Sequence, residues 1–501
     1  MFFSTFLLIF FTFLLYLLMK YNLHKERLMK YVKHLPSLPQ LPFIGSGYLF
    51  MGKNTKEIFN TFLEYVESKT PLVVWLGPKL HIIIDKPEDM QTILLSPKCV
   101  DKPYVYRFLP NQNGLVTSDA HVWKPNRKLF NPTFNTNILK SFVPIFNKKT
   151  DILVEKLKLL PDEEYIDIST YMFACTLDMV CATSLGYDLE MQKDKNKEFL
   201  ESMENMLPLV AERAVKIWLH PTWIYKMTSA YRTQKQLGDR LFSITRRIKE
   251  EKQREYDLKN INSFNDINIE ESKEFSKPQI FIDELMKLWK TGKVSESEIE
   301  EQVITIITTG NETSSLVLSN TILMLAMYPE HQEKVVAELR SIPRESEISL
   351  EYISQLTYLD MVVKEVMRLF PVGPLLARNN LADIKISNCI IPANTFIVMS
   401  YFTLHRDPKS WGEHPNEFNP DNFLPERIAA RHPYAYLPFC GGTRNCIGMK
   451  YAWISLKIVL TKLLLNFKFS SQLKMEEISF RWDMTLKVEN GQWVTVEKRV
   501  E

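Results

Sequence analysis

The amino-acid sequence predicts a mainly α protein with small β-sheets, carried behind one amino-terminal transmembrane helix. Three observations predict it. Residues 2–19, FFSTFLLIFFTFLLYLLM, carry no charge. Long stretches such as Ser295–Tyr328 and 449–467 have the length and apolar content of buried helices. Strand-like patterns with turn signals are confined to three places: Val73–Ile84, residues 384–402 and Met484–Glu497.

The elements follow in chain order. The uncharged stretch makes a helix about 27 Å long, close to the roughly 30 Å hydrocarbon core of a bilayer. Lys20, Lys25, Arg27, Lys30 and Lys33 follow against the single acid Glu26, so the positive-inside rule places the body in the cytosol. A cleaved signal peptide would want a shorter apolar core and a small-residue cleavage site, and neither is visible. Pro36, Pro39 and Pro42 then stiffen a spacer. The expected division is an anchor over 1–20, a basic and Pro-rich hinge over 21–45, and one large domain over 46–501. Gly77-Pro78 marks the turn of a first hairpin and Asn490-Gly491 that of another, at the carboxyl end. Residues 246–277 are highly charged and read as a solvated helix end with a loop.

Composition excludes some function classes. The formal net charge of +3 over 501 residues is too small to make nucleic acid the main partner. Six cysteines without a CxxC pair suggest neither a disulfide framework nor a zinc ribbon, and most should be small buried hydrophobes.

Chemistry concentrates in four segments. In FCGGTRNCIG, 439–448, three of the chain's 15 glycines crowd ten residues, and an apolar helix follows. Cys446 thus sits at a helix amino terminus, where free N–H groups and the helix dipole favour a thiolate, the form a soft metal requires. Arg444 is placed to neutralise a cofactor carboxylate. Cys440 competes, and on local physics a tight loop with two buried cysteines accounts for the pattern equally well. In the second segment, Ser295 and Glu298 form a capping box opening a long helix whose centre, Thr308 to Ser315, is polar. That polarity argues against a second membrane helix and for a buried helix crossing a site. Gly310 there is expected to let a ligand approach the backbone, with Glu312 and Thr313 supplying an acid and a hydroxyl. Glu365 and Arg368 share a helix face. Periodicity alone makes them a solvated ion pair worth about 0.2–0.5 kcal/mol. Trp123 and Arg127 would meet one turn apart, although Pro125 between them suits only a helix's first turn.

The pattern Phe439-x-x-Gly442-x-Arg444-x-Cys446-x-Gly448 resembles the haem-binding signature of the cytochrome P-450 superfamily at every fixed position. The resemblance spans nearly the whole chain, and His405–Pro408, Phe418–Arg427 and RHPYAYLPF are similar to the superfamily's fourth clan, particularly insect members. It implies the cytochrome P450 fold and a monooxygenase with non-covalent haem b held by the Cys446 thiolate. Phe439, Gly442, Arg444 and Gly448 would shape that loop. Trp123, Arg127 and Arg378 would meet haem propionates, while Thr313 and Glu312 would handle dioxygen and its protons. Glu365 and Arg368 would be the family's buried structural pair. A lipophilic substrate such as a fatty acid, terpenoid, hormone or xenobiotic is implied, with pocket walls expected from Tyr104–Val116, Leu207–Trp218 and Leu375–Ala377. Because the chain shows no flavin or nucleotide fingerprint, electrons would come from an NADPH-dependent reductase in the endoplasmic reticulum membrane, with cytochrome b5 as a second donor. Lys128, Lys450 and Lys457 are the expected docking cations. A haem-thiolate isomerase or dehydratase, or a haem sensor or carrier, stays open as an alternative.

Two positions depart from the clan's pattern. Thr309 stands where many fatty-acid hydroxylases carry the glutamate that attaches haem covalently. Asn422 replaces the arginine of Pro-x-Arg-Phe, so the third member of the Glu-Arg network is missing or comes from Arg427.

Overall fold

The structure, a computed structural model, describes residues 2–67, 69–193, 195–265, 280–342 and 347–499. The central helix, Glu296–Met327, organises the core. It starts as its sequence requires: the Ser295 side chain accepts from the Glu298 N–H while Glu298 Oε2 accepts from the Ser295 N–H at 2.8 Å. Tyr328 closes it, and Pro329 opens the next helix. Its residues are buried on nearly all sides, against the helices Ile168–Ser184, Thr357–Leu369 and Met449–Asn466. The Thr136–Lys158 helix packs outside, against Ile168–Ser184 and Met449–Asn466.

Gly310 serves this packing. A Cβ there would lie 2.9 Å from Val180 Cγ2 on the neighbouring helix. The missing side chain therefore lets two helices approach, which corrects the expectation that it opens the backbone to a ligand.

The strands β1 (Leu72–Leu76), β2 (Lys79–Ile84), β4 (Leu375–Asn379) and β7 (Phe396–Ser400) form one sheet in the order β1-β2-β7-β4. The first predicted hairpin is present, with Leu76 opposite Lys79 and Gly77 at a φ of 58°. The β2–β7 pair is parallel and the others antiparallel. Strands β5 (Ile384–Lys385) and β6 (Ile390–Ile391) make a small ribbon.

The carboxyl-terminal hairpin does not form as predicted. Asn490-Gly491 makes a turn, but β10 (Thr485–Val488) pairs backward with β9 (Phe480–Asp483). Strand β11 (Trp493–Lys498) pairs instead with β3 (Glu164–Asp167) and β8 (Phe467–Ser470). Burial of Val494 and Val496 in the main core outweighs the local turn signal.

The amino-terminal helix runs unbroken over Phe2–Val32, past the apolar stretch and through the basic flank. Its end belongs to the body, because Val32 is buried and Leu28, Met29 and Tyr31 pack around β2 and β6. Among the described residues, no helix is long and apolar enough to cross a membrane. The charged stretch after Arg246 continues a long helix, Ser229–Asn265; residues 266–277 of it lie outside the described residues.

Candidate active site

The cysteine loop is fixed by its backbone. The Cys446 N–H donates to Phe439 O at 2.9 Å, tying the loop's ends together. Gly442 adopts a φ of 70°, and a Cβ there would collide with the Leu94 carbonyl, so only glycine fits. The Phe439 ring packs near Trp453 on the following helix, with centroids 6.2 Å apart. Gly448 caps that helix, and a Cβ on it would stand 3.8 Å from Cys446 Sγ.

Cys446 is exposed as a residue, in a loop otherwise dense with protein atoms. Burial raises its thiol pKa, and the Gly448 N–H and the nearby Arg127 guanidinium pull it back down only in part. The helix terminus alone therefore does not make the anion. A bound metal cation would supply the rest, since a coordinating thiol is deprotonated outright. Four of the other five cysteines separate cleanly: Cys99, Cys175, Cys181 and Cys389 are buried, and burial raises the thiol pKa of each, whereas Cys440 is half-buried.

A cluster of cations lies nearby. Arg444 donates to Ser118 O at 2.6 Å and stacks over Trp123 at 4.7 Å, while its Nε and Nη1 find no acceptor. Arg378 is buried, donating to Ala377 O and reaching Cys440 Sγ at 3.7 Å. Lys102, which sequence reasoning missed, is the third; its ammonium rests 4.3 Å from the Tyr106 ring. Burial, then the charges of Arg378 and Arg444, hold the Lys102 pKa well below its ordinary value. Among the described residues, none of the three has a carboxylate within ion-pair reach. Arg378 is buried and the other two are half-buried, and cations withdrawn from water without a counter-charge are costly. They fit a dianionic group, and the two propionates of haem beside a cysteine sulfur meet that description. Nothing in the Lys102-Pro103 sequence signalled this.

Trp123 and Arg127 lie on one helix, Ala120–Phe130, which tolerates Pro125 inside it. Each has its own protein partner at the cysteine loop. Trp123 carries the Arg444 guanidinium, whereas Arg127 donates to Asn445 O at 2.7 Å and Asn445 Oδ1 at 3.0 Å, bracing the cysteine loop.

On the central helix, Thr313 is exposed among buried neighbours, and its hydroxyl donates to Thr309 O at 2.7 Å. Thr309 in turn donates to Thr305 O. The Glu312 carboxylate is buried and held by β10, accepting from Thr485 Oγ1 and pairing with Lys487 Nζ, both at 3.1 Å. The acid and the hydroxyl are neighbours in sequence with separate partners. Lys487 and Thr485 were not anticipated, because the misjudged hairpin hid their position.

Glu365 and Arg368 are fully buried and bidentate, both bonds at 2.7 Å. Arg368 also donates to His405 O, Pro415 O and Glu417 O, and Glu365 accepts from the Asn419 N–H. This overturns the solvated pair that periodicity suggests and bears out the resemblance. The network has its third member: Asn422 Nδ2 donates to Glu365 Oε1 at 3.1 Å. Among the described residues, Arg427 donates to Asn422 Oδ1 at 3.3 Å and makes no hydrogen bond to Glu365, so it does not replace the missing arginine.

The docking cations divide. Lys128 and Lys450 are exposed, but Lys457 is buried, paired to Asp360 at 2.6 Å and donating to Ile353 O. Lys457 is thus withdrawn from any docking face. All three expected pocket segments do meet, around one apolar cavity that includes Val105, Val215 and Ala377.

Comparison with known proteins agrees with this geometry. A family model described as Cytochrome P450 matches residues 35–495. Cytochrome P450 4c3 of Drosophila melanogaster is 31% identical over 506 aligned positions, covering 97% of this chain and 93% of that protein. Cytochrome P450 4V2 of Mus musculus is 31% identical, covering 94% and 91%. Cytochrome P450 4c21 of Blattella germanica is 30% identical, with 93% of each covered. The chain belongs to the cytochrome P450 family and is a monooxygenase of that kind, a family that implies haem held by a cysteine thiolate, with dioxygen and a small molecule as substrates.

Proposed function

We propose that this chain binds haem b non-covalently through the Cys446 thiolate and inserts one oxygen atom of dioxygen into a lipophilic substrate. One observation carries the reading: the exposed Cys446 follows Arg444 in one loop, and Arg444, Arg378 and Lys102, one buried and two half-buried, have no carboxylate within ion-pair reach among the described residues. When bound, haem supplies the oxygen chemistry itself. The residues supply the rest. Arg444, Arg378 and Lys102 neutralise the propionates, and Trp123 holds the Arg444 plane. Arg127 keeps the loop in place through Asn445. Thr313, its hydroxyl hydrogen engaged by Thr309, presents lone pairs at the exposed face of the central helix. Glu312, paired with Lys487, is the neighbouring acid that supports proton delivery. Thr309 offers no carboxylate for an ester link to haem.

Electrons come from NADPH through a membrane reductase, with cytochrome b5 as a second donor, and Lys128 and Lys450 lie on the docking face. The protein is anchored in the endoplasmic reticulum membrane by residues 2–19, followed by the basic hinge, with the catalytic domain 46–501 facing the cytosol. Support comes from the uncharged sequence and from Phe3, Phe6, Leu8, Ile9 and Phe13, all exposed on the helix.

The back-bonded Thr313 and the tethered Glu312 favour one second reading, a haem-thiolate isomerase or dehydratase that needs no proton delivery. Reconstitution with reductase separates the two. A monooxygenase consumes NADPH and dioxygen and releases a product heavier by one oxygen atom. Turnover of a peroxide without NADPH, and no oxygenated product with it, would establish the isomerase or dehydratase, and inertness in both would leave a sensor or carrier.

A further inference from the structure

His405 follows the short helix Tyr401–Leu404 and is fully buried, although its side chain carries two polar nitrogens. Its main-chain N–H donates to Tyr401 O at 3.0 Å, and its carbonyl accepts from Arg368 Nη1 at 2.9 Å. Its ring lies among aromatic neighbours, with centroids 5.4 Å from Tyr436, 6.2 Å from Tyr401 and 6.5 Å from Trp411. Those contacts hold the imidazole without using either nitrogen.

One nitrogen has a distant partner. The Leu437 main-chain N–H donates to His405 Nε2 at 3.0 Å, across 32 residues of sequence. An imidazole accepts only through an unprotonated nitrogen, so the proton sits on Nδ1 and the ring is neutral. Its surroundings enforce that state. Burial, then the charges of Arg368 and Arg406, lower the ring's pKa to about 3, and the backbone of Arg368 and Met367 opposes them only in part. Nδ1 itself finds no hydrogen-bond partner. The ring thus leaves one of its own groups unpaired while it satisfies Leu437, which marks that bond as the one the position is built around.

Leu437 stands where the chain enters the cysteine loop. Leu437 O accepts from the Cys440 N–H at 3.1 Å, and Phe439 O accepts from the Cys446 N–H at 2.9 Å. The Leu437 side chain packs under the loop, since a Cβ on Gly441 would stand 3.5 Å from Leu437 Cδ2. The preceding residue is tied down as well. Tyr436 Oη donates to Lys364 O at 2.9 Å, on the helix Thr357–Leu369 that carries Glu365 and Arg368. Hydrogen bonds of 3.1 Å or less therefore run from Glu365 through Arg368, His405 and Leu437 to Cys440 in the loop.

We propose that His405 is a positioning residue for the haem thiolate: through Nε2 it couples the buried Glu365–Arg368 pair to the cysteine loop, and so keeps Cys446 in the place from which it ligates the iron. The proposal rests on the haem-thiolate reading. Without the acceptor the Leu437 N–H is stranded inside the protein. It regains a partner only if residues 437–440 shift, and the Cys446 N–H is bound to that segment at Phe439 O.

The test uses the full-length holoprotein, matched for haem content, at a urea concentration where circular dichroism shows every variant folded. The readout is the rate at which the red-shifted Soret band of the reduced, carbon monoxide-bound protein gives way to an unshifted band, which reports loss of the thiolate without turnover. His405→Phe keeps a ring among Tyr401, Trp411 and Tyr436 but offers no acceptor, and the rate should rise by about tenfold or more. His405→Gln supplies an amide oxygen to Leu437, and the rate should stay within about threefold of wild type. A ring that only fills space predicts the reverse, with Phe the milder change. A Phe rate within threefold of wild type, or a Gln rate as high as that of Phe, would overturn the proposal. Hydrogen exchange at the Leu437 amide of wild type and His405→Gln decides the matter even where His405→Phe takes no haem. Protection in both supports the contact, and exchange as fast as that of an exposed loop amide in either overturns it. Absence of the red-shifted band from wild type would sink the haem-thiolate reading instead, and a protected Leu437 amide in the same sample would mark the His405 contact as purely structural.

Discussion

Arg368 shows how much one side chain is asked to hold. Its guanidinium, fully buried, satisfies Glu365 and three backbone carbonyls of the loop running from His405 to Glu417. Removing it leaves the Glu365 charge stranded, so Arg368→Ala should destabilise the fold by about 3–5 kcal/mol, read as a shift in urea midpoint. Asn422→Ala removes one neutral donor to the same carboxylate and should cost less, about 1–3 kcal/mol. Equal losses would show that Asn422, and not Arg368, is the network's limiting member. The pair itself was legible in Glu-x-x-Arg only through resemblance. Helical periodicity sees a polar stripe, and it cannot see the carbonyls that a distant loop lays across that stripe. Asn422 was misjudged for a related reason: a shorter amide reaches the carboxylate where a longer guanidinium was thought necessary.

At the scale of elements, packing decides what local signals propose. Gly310 illustrates it, since the tight approach to Val180 turns a residue read as a ligand window into a helix-crossing point. Gly310→Val should therefore lower stability by about 1–3 kcal/mol through overpacking, whatever ligand is present. An unchanged denaturation midpoint would return Gly310 to the ligand. The central helix was readable because its capping box, length and terminal proline all agree. The Asn490-Gly491 turn was readable too, but not its pairing, because β11 takes partners from residues 164–167 and 467–470. That error carried a cost at the site: β10 brings Thr485 and Lys487 onto Glu312, and a hairpin with β11 gave no reason to look there.

For the whole molecule, stability should depend on acid in a defined direction. His81 and His405 are buried and neutral, with pKa values lowered by burial to about 3 in each case. In the unfolded chain both take protons near pH 6.5, so between pH 6.5 and about 3 the unfolded state binds more protons. Stability is therefore full above pH 6.5 and falls as pH drops through that window, by roughly 2 kcal/mol per histidine at pH 5. Urea titrations at pH 7 and pH 5 measure it, and a midpoint unchanged in the His405→Gln variant relative to wild type across that range would remove His405 from the account. The same scale sets what the cysteine loop achieves. Its glycines and its place at a helix start were visible in ten residues, and Arg444 and Arg378 were expected at a cofactor carboxylate, whereas Lys102 joins them only once the chain is folded.

The most direct measurement is the carbon monoxide difference spectrum of the reduced protein, taken with haem content for wild type, Cys446→Ser and Cys440→Ser. The account predicts the red-shifted Soret band of a thiolate-ligated haem in wild type and in Cys440→Ser, and its loss in Cys446→Ser. Persistence of that band in a folded, haem-loaded Cys446→Ser protein, or its loss in Cys440→Ser alone, would contradict the assignment of Cys446 as the sulfur that holds the iron.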